Sequence, residues 1–455
     1  MNEASMSHDV GSIPSRGVQL HSPPGFGSGT PEQGGQGVVF TGGGTTGHVT
    51  KNQILLEALK KLRPEVRRYY LGLKTGKEAE LISADLAEFH AISSGKLRRY
   101  LALETIPDFF RFVYGIWQSY WLLRRLKPKL VFSSGGFVAL PVATAAWLRK
   151  IPVFTHETDS YPGLANRLIG KMATKIFLGF ESAGKYFESP TPTPAHLKGE
   201  KIAHSSSRVV QVGNPVSPRL FDGSRERALK KLGFSAEKKV LLVMGGSQGA
   251  QQINELIWEI LPKLMEEGWQ LIHLTGKGKD WEGAKGTEGA EENPPSNPSN
   301  RPYLPYHPFD YVTTDYPDFL CAADLVISRA GGNSLAEIEA LGKTALLIPL
   351  PLPAAAGDHQ RKNAEEMLKK HADWKMLLNP ASEVLLEAIR TTSAHKQGVS
   401  KPDILPQELI LQHVDQALGR EPFAKAGFRF RMEILSNPPF FLTKTVNIIY
   451  LPICI

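Results

Sequence analysis

Three glycine-rich stretches in this sequence have the composition to hold phosphate groups. The first, Thr41-Gly42-Gly43-Gly44-Thr45-Thr46-Gly47-His48, follows the short apolar run 37–41. Glycines after a buried strand let backbone amides approach an anion, and the next helix adds the positive end of its dipole. The spacing is neither the dinucleotide fingerprint nor a Walker loop, which needs Gly-Lys-Ser/Thr; a tight turn without ligand is the alternative. Met244-Gly245-Gly246-Ser247-Gln248-Gly249-Ala250 repeats the arrangement, and Ser133-Ser134-Gly135-Gly136-Phe137 follows the run 130–132. Three amide-rich loops at strand ends imply a cleft for more than one phosphate group.

Side chains able to do further chemistry lie beside these loops. His48 stands near a helix start, where the dipole disfavours imidazolium and leaves a neutral ring able to accept a proton. A structural or exposed histidine is the alternative. His156-Glu157-Thr158-Asp159 follows the run 153–155 and precedes Pro162-Gly163-Leu164-Ala165-Asn166-Arg167. These residues either contact a ligand or cap the next helix. In Ser328-Arg329-Ala330-Gly331-Gly332-Asn333-Ser334-Leu335-Ala336-Glu337, the carboxylate lies one turn beyond Asn333. It can accept the two hydroxyls of a ribose; a first-turn capping carboxylate is the alternative. Asp358-His359-Gln360-Arg361-Lys362-Asn363 opens another helix with side chains that read hydroxyls.

For these groups to meet, strands must deliver them to a common edge. Short apolar runs at 37–41, 69–71, 130–132, 153–155, 176–178 and 209–212 alternate with helical stretches such as 53–62. Continuous apolar strands between helices indicate a parallel sheet covered on both faces. The pattern restarts at 240–244, with helix 253–264 and strands 271–274, 325–328 and 345–349. The expectation is an α/β chain of two Rossmann-like halves. Its divisions are a disordered leader at 1–36, a first domain at 37–215 and a second at 216–402. A helix at 403–420 and a tail at 421–455, whose role the sequence does not reveal, follow. Segments 190–207 and 283–301 read as surface loops.

The 455 residues are 42% hydrophobic and 22% charged, which fits a folded chain. Two cysteines, Cys321 and Cys454, exclude a disulfide scaffold and a cysteine-type zinc site. Residues 1–36 lack the apolar core of a secretory signal, and no apolar run reaches the ~18–20 residues of a membrane helix. The formal charge of +8 favours an anionic partner. Lys96-Leu97-Arg98-Arg99-Tyr100 leads to a stretch mixing Phe109, Phe110, Phe112, Tyr114, Trp117, Tyr120 and Trp121 with Arg111, Arg124 and Arg125. That mixture suits an anionic membrane surface if about half of the aromatics face outward, as an interfacial helix's apolar face requires.

In this order the segments GGGTTGH, SSGGFVALP, HETDSYPGLANR, VGNPV, GGSQGAQQIN, HLTGKG, ADLVISRAGGNSLAEIEALG and DHQRKNA resemble the MurG-type N-acetylglucosaminyltransferases of bacterial peptidoglycan synthesis. The resemblance implies a GT-B fold, two Rossmann-like domains facing a cleft, with helix 405–418 returning to the first. It implies a hexosyltransferase that moves GlcNAc, with inversion, from UDP-GlcNAc to the MurNAc 4-hydroxyl of lipid I (undecaprenyl-diphosphoryl-MurNAc-pentapeptide), giving lipid II. By motif position His48 is the general base, and Gly43, Gly44, Gly47, Gly135 and Gly136 face the acceptor diphosphate. Thr45 and Asp159 lie by the donor sugar, Ser247, Gln248 and Gly249 by the donor diphosphate, Glu337 on the ribose and Gln360 on the GlcNAc hydroxyls. Asn166 and Asn214 complete the expected substrate-binding set. No metal or cofactor is expected, since the sequence has no Asp-x-Asp pair. The implied location is the cytoplasmic face of the bacterial plasma membrane, held peripherally, without nucleic acid as a partner. The alternatives are another GT-B enzyme using a UDP-sugar (a glycolipid glycosyltransferase or a UDP-GlcNAc 2-epimerase) and a non-catalytic nucleotide-sugar-binding protein. The chain departs from the family's usual pattern at Thr46 (Gly), Lys51 (Pro), Thr158-Asp159 (Gln-Asn) and Ser217 (Arg, for which Arg219 is a displaced substitute). At Thr46 a β-branched residue is expected to resist a positive φ.

Overall fold

Apolar runs too short for helices form two parallel sheets in the computed structural model. It describes residues 37–95, 105–187, 207–246, 249–279, 305–351, 358–392 and 401–420. The expected leader 1–36, tail 421–455, basic segment 96–100, Ser247, Gln248, loop 283–301 and all but the last residue of loop 190–207 lie outside the described residues.

The first sheet contains β1 (Gly37–Thr41), β2 (Arg67–Gly72), β3 (Glu88–Ala91), β4 (Leu130–Ser133), β5 (Val153–Glu157), β6 (Lys175–Leu178) and β7 (Val209–Gln211). Their order across the sheet is β3-β2-β1-β4-β5-β6-β7. The second contains β8 (Val240–Met244), β9 (Gln270–Leu274), β10 (Tyr306–Phe309), β11 (Leu325–Ser328), β12 (Thr344–Leu347) and β13 (Lys375–Met376), in the order β10-β9-β8-β11-β12-β13. Every pairing is parallel, with Thr41 beside Ser133 and Met244 beside Ser328. The strands expected from sequence are present. Those at 88–91, 306–309 and 375–376 were not expected. All three are edge strands. A half-solvated edge needs no apolar run and tolerates Pro308.

Helices cover both faces. In the first half they are α1 (Thr46–Leu62), α2 (Lys77–Leu81), α3 (Thr105–Leu126), α4 (Ala139–Leu148) and α5 (Leu164–Met172). In the second they are α6 (Arg225–Leu232), α7 (Gln251–Glu266), α8 (Tyr316–Ala322), α9 (Gly332–Ala340), α10 (His359–Lys370) and α11 (Ser382–Thr391). The last, α12 (Pro406–Ala417), crosses back. Its Ile410, Leu411 and Val414 are buried with Val38, Phe40, Leu55 and Leu59 of the first half. Arg63 at the end of α1 grips the buried Asp415 through two hydrogen bonds of 3.1 and 3.0 Å. The bidentate pair fixes the crossing geometry.

On α3 the residues divide by helical period. Phe112, Ile116, Tyr120 and Leu123 pack into the core. Phe109, Phe110, Val113, Tyr114, Trp117 and Trp121 face outward, with Phe110 65% and Trp117 57% exposed. Most of the stretch's large apolar side chains are therefore on the surface, which meets the condition stated from sequence. No described helix is long and apolar enough to cross a membrane.

Candidate active site

Each sheet has one place where strand order reverses, between β1 and β4 in the first and between β8 and β11 in the second. Loops leaving adjacent strands there diverge to opposite faces and open a crevice at the carboxyl edge. The Gly42–Thr45 and Ser134–Val138 loops leave β1 and β4; the loops after β8 and β11 carry Gly245, Gly246, Gly249 and Gly331. The glycine-rich stretches singled out by composition thus flank both reversals. No side-chain oxygen caps the N-termini of α1, α4, α7 or α9. The Ala139 amide of α4 donates to the Gly136 carbonyl at 3.2 Å; the dipoles of these N-termini point toward the crevice where an anionic ligand would be stabilised.

The two glycine loops of the first half touch. Gly136 has φ +84°, and a Cβ there would collide with the Gly43 carbonyl and stand 3.1 Å from Cδ2 of His48. Only glycine fits this close approach. His48 itself sits in the first turn of α1, and its Nδ1 is 2.9 Å from the Ser134 carbonyl oxygen. A carbonyl only accepts, so Nδ1 carries the proton and Nε2 keeps a free lone pair. Desolvation, then the neighbouring Lys51 charge, lower the pKa of this ring to about 3, against the opposing pull of the Ser134 carbonyl. The ring is neutral at physiological pH.

A bridge joins the halves just behind His48. Asn214 donates to the carbonyls of Thr158 (3.0 Å) and Gly332 (3.1 Å). Asn363 on α10 donates to Asp159 Oδ1 at 2.8 Å and accepts from the Ser160 amide at 2.8 Å. Asn333 on α9 donates to the Gly47 carbonyl at 3.1 Å. Glu157, buried beneath, accepts from Asn166 at 2.6 Å. Burial and the nearby Asp159 push its pKa upward. Across the cleft, Tyr316 on α8 donates to Glu337 Oε2 at 2.7 Å. Desolvation raises the pKa of Glu337 and the tyrosine hydrogen bond partly offsets it.

The family model for the glycosyltransferase family 28 N-terminal domain matches residues 38–178, and that for the family 28 C-terminal domain matches 240–403. A protein of Bacillus thuringiensis (strain Al Hakam) is 41% identical over 328 residues, covering 72% of this chain and 83% of the relative. It is named UDP-N-acetylglucosamine--N-acetylmuramyl-(pentapeptide) pyrophosphoryl-undecaprenol N-acetylglucosamine transferase 3. The chain belongs to the MurG-type members of glycosyltransferase family 28. Among solved structures, Acinetobacter baumannii MurG matches with a TM-score of 0.55 at 20% identity, over 88% of this chain and 98% of that one. The UDP-GlcNAc 2-epimerase of Methanocaldococcus jannaschii matches at 0.51 and 11%, over 82% and 98%. These establish the GT-B architecture, which transferases of this family share with enzymes of other activities.

Against the family's expected site, the structure collects His48, Gly43, Gly44, Thr45, Gly47, Gly135 and Gly136 around one corner of the cleft. Glu337 and Gly249 lie at the opposite reversal. Three placements differ in kind from the sequence reading. Asn166 and Asn214 are both buried, one against Glu157 and the other in the bridge. Gln360 spends its Oε1 on the Leu350 amide at 2.9 Å. The capping alternatives fail. α5 and α9 are capped by Gly163 and Gly331 without side-chain bonds, and Glu337 lies beyond the first turn of α9. Thr46 is also not strained, because it opens α1 and is absent from the positive-φ residues.

Sequence reading named Asn333 and Asn363 within their segments but not their partners in the first half, and it missed Tyr316 and the placement of Lys51. Those partners lie far along the chain, so no local pattern marks the pairings. Lys51 left a signal. It is four and eight residues before Leu55 and Leu59, on the apolar stripe of α1.

Proposed function

We propose that this chain transfers GlcNAc from UDP-GlcNAc to the MurNAc 4-hydroxyl of undecaprenyl-diphosphate-linked MurNAc-pentapeptide, with inversion, giving lipid II. The observation that carries the reading is the 41% identity, over 83% of its length, to a relative named for this transfer. The site chemistry agrees with it. An inverting displacement needs one base at the nucleophilic hydroxyl and stabilisation of a departing diphosphate. His48 is neutral, with Nδ1 committed to Ser134 and Nε2 free to take the hydroxyl proton as the new C1–O4 bond forms. The bond from C1 to the UDP oxygen breaks, and its electron pair passes to the diphosphate. The uncapped N-terminus of α7 and the Gly245–Gly246 turn receive that charge, with Ser247, Gln248 and Gly249 by the donor diphosphate. The loops 42–45 and 134–138 receive the acceptor diphosphate, with Thr45 and Asp159 beside the donor sugar. Glu337 takes the ribose hydroxyls, and Gln360 reads the GlcNAc through its amide.

The exposed α3 stripe gives the lipid-linked acceptor a surface to arrive from. Phe110, Tyr114, Trp117 and Trp121 enter the interface of the cytoplasmic leaflet, while Arg111, Arg124 and Arg125 meet anionic head groups. The attachment is peripheral. Purified protein supplied with UDP-GlcNAc and a soluble lipid I analogue should release UDP only when the analogue is present. UDP release or sugar epimerisation without the analogue defeats the reading.

A further inference from the structure

Lys51 is a buried cation that the transfer chemistry above does not use. It is 1% exposed. Its Nζ donates to the Ser134 carbonyl at 3.2 Å and to the Thr158 hydroxyl, and lies 3.5 Å from Nδ1 of His156. His156 Nε2 is 3.0 Å from the Gly213 carbonyl, so the proton sits on Nε2 and Nδ1 faces the ammonium as an acceptor. The carbonyl that Lys51 grips is the one that holds His48.

We propose that Lys51 is a positioning residue for His48, sharing the Ser134 carbonyl with its ring and tying that carbonyl to Thr158 on the bridge to the second half. The proposal rests on His48 being the base. Two consequences follow from the geometry. The loop that orients the His48 ring is linked through Lys51 to the Thr158 backbone that Asn214 anchors to α9, so donor-side and acceptor-side elements are registered to each other. The ammonium also holds the ring in its neutral form by direct repulsion. The titratable groups around this pair are His156, Glu157 and Asp159, from β5 and the loop after it. From the second half the side chains bonded here are the neutral Asn333, on the Gly47 carbonyl, and Asn363, on Asp159.

The test separates charge from hydrogen bonding. Lys51→Met removes both; Lys51→Gln removes the charge and keeps a donor. Two quantities are read: the His48 ring titration by NMR on histidine-labelled protein, and the pH profile of transfer. In both variants the ring should titrate at least one pH unit higher than in the wild type, and the acid limb of kcat should move with it. At pH 7, below the pKa of about 8 to which burial lowers Lys51, kcat should fall ~10-fold or more in Lys51→Met and by less in Lys51→Gln, with the KM for UDP-GlcNAc held within about threefold. A ring titration unchanged in both variants overturns the proposal, as does a rise in donor KM with kcat unchanged. Because NMR reads the ring without turnover, this outcome is distinct from failure of His48 as the base, which wild-type turnover in His48→Ala would reveal.

Discussion

Asn333, the second residue of α9, donates its side-chain amide to the carbonyl of Gly47 at 3.1 Å, one residue before His48. The helix that carries Glu337 thus holds the turn that carries His48. This bond crosses from one Rossmann-like half to the other and ties the start of α1 to the start of α9.

Replacing Asn333 with Ala removes that bond and leaves the Gly47 carbonyl to water. Transfer should slow by about 5–30-fold, the equivalent of about 1–2 kcal/mol for one hydrogen bond and a displaced base. Thermal stability should change by no more than a few degrees. Steady-state kinetics beside a melting curve check this; an unchanged kcat shows that the bond does not position the base.

Glu337 should matter for donor binding more than for chemistry. Glu337→Gln keeps the shape and loses the charge-assisted acceptor, so KM for UDP-GlcNAc should rise about 10-fold or more while kcat stays within a few-fold. Tyr316→Phe frees Oε2, which accepts the tyrosine proton at 2.7 Å. Its effect on donor binding should be smaller than that of Glu337→Gln. Calorimetric titration with UDP separates the two.

The half-buried, neutral His48 has a proton-linkage signature. The pKa of His48 falls from 6.5 in the unfolded chain to about 3 in the folded one. Between these values the unfolded state binds more protons, so this residue's contribution to stability is lost as pH falls from 6.5 towards 3. His48→Gln, which keeps a donor for Ser134, escapes that loss. Its stability relative to wild type should improve by about 2–3 kcal/mol between pH 7 and pH 4.5, read as urea midpoints. A constant difference across that range contradicts the burial argument.

The membrane attachment proposed above uses the outward face of α3. Trp117→Ser with Phe110→Ser should weaken co-sedimentation with phosphatidylglycerol vesicles by about 10-fold or more, since each change removes a large apolar group from the interface. Transfer to a soluble acceptor analogue should stay at wild-type rates. Equal vesicle binding by the double variant removes the helix as the docking surface.

These cases show what could be read from residues alone. The central strands β1, β4, β8 and β11 were visible because a strand buried on both faces must be apolar throughout. The glycine loops were visible because close approach to backbone or phosphate excludes side chains, as at Gly136. Edge strands such as Tyr306–Phe309 were not, because half their surface faces solvent. The cross-cleft bonds of Asn214, Asn333 and Asn363 join residues between 118 and 286 positions apart, a pairing that exists only after both halves have folded. Lys51 lies between these cases. Its place on an apolar stripe was readable, but its partners Ser134 and Thr158 arrive from loops more than 80 residues away.

The central claim is a single displacement at the anomeric carbon with His48 as the one base. The product's linkage tests it most directly. Transfer from UDP-α-GlcNAc should give a disaccharide whose NMR coupling at the new anomeric proton is that of a β-linkage, with the bond at O4 of MurNAc. An α-linkage, or attachment at another hydroxyl, would contradict the account.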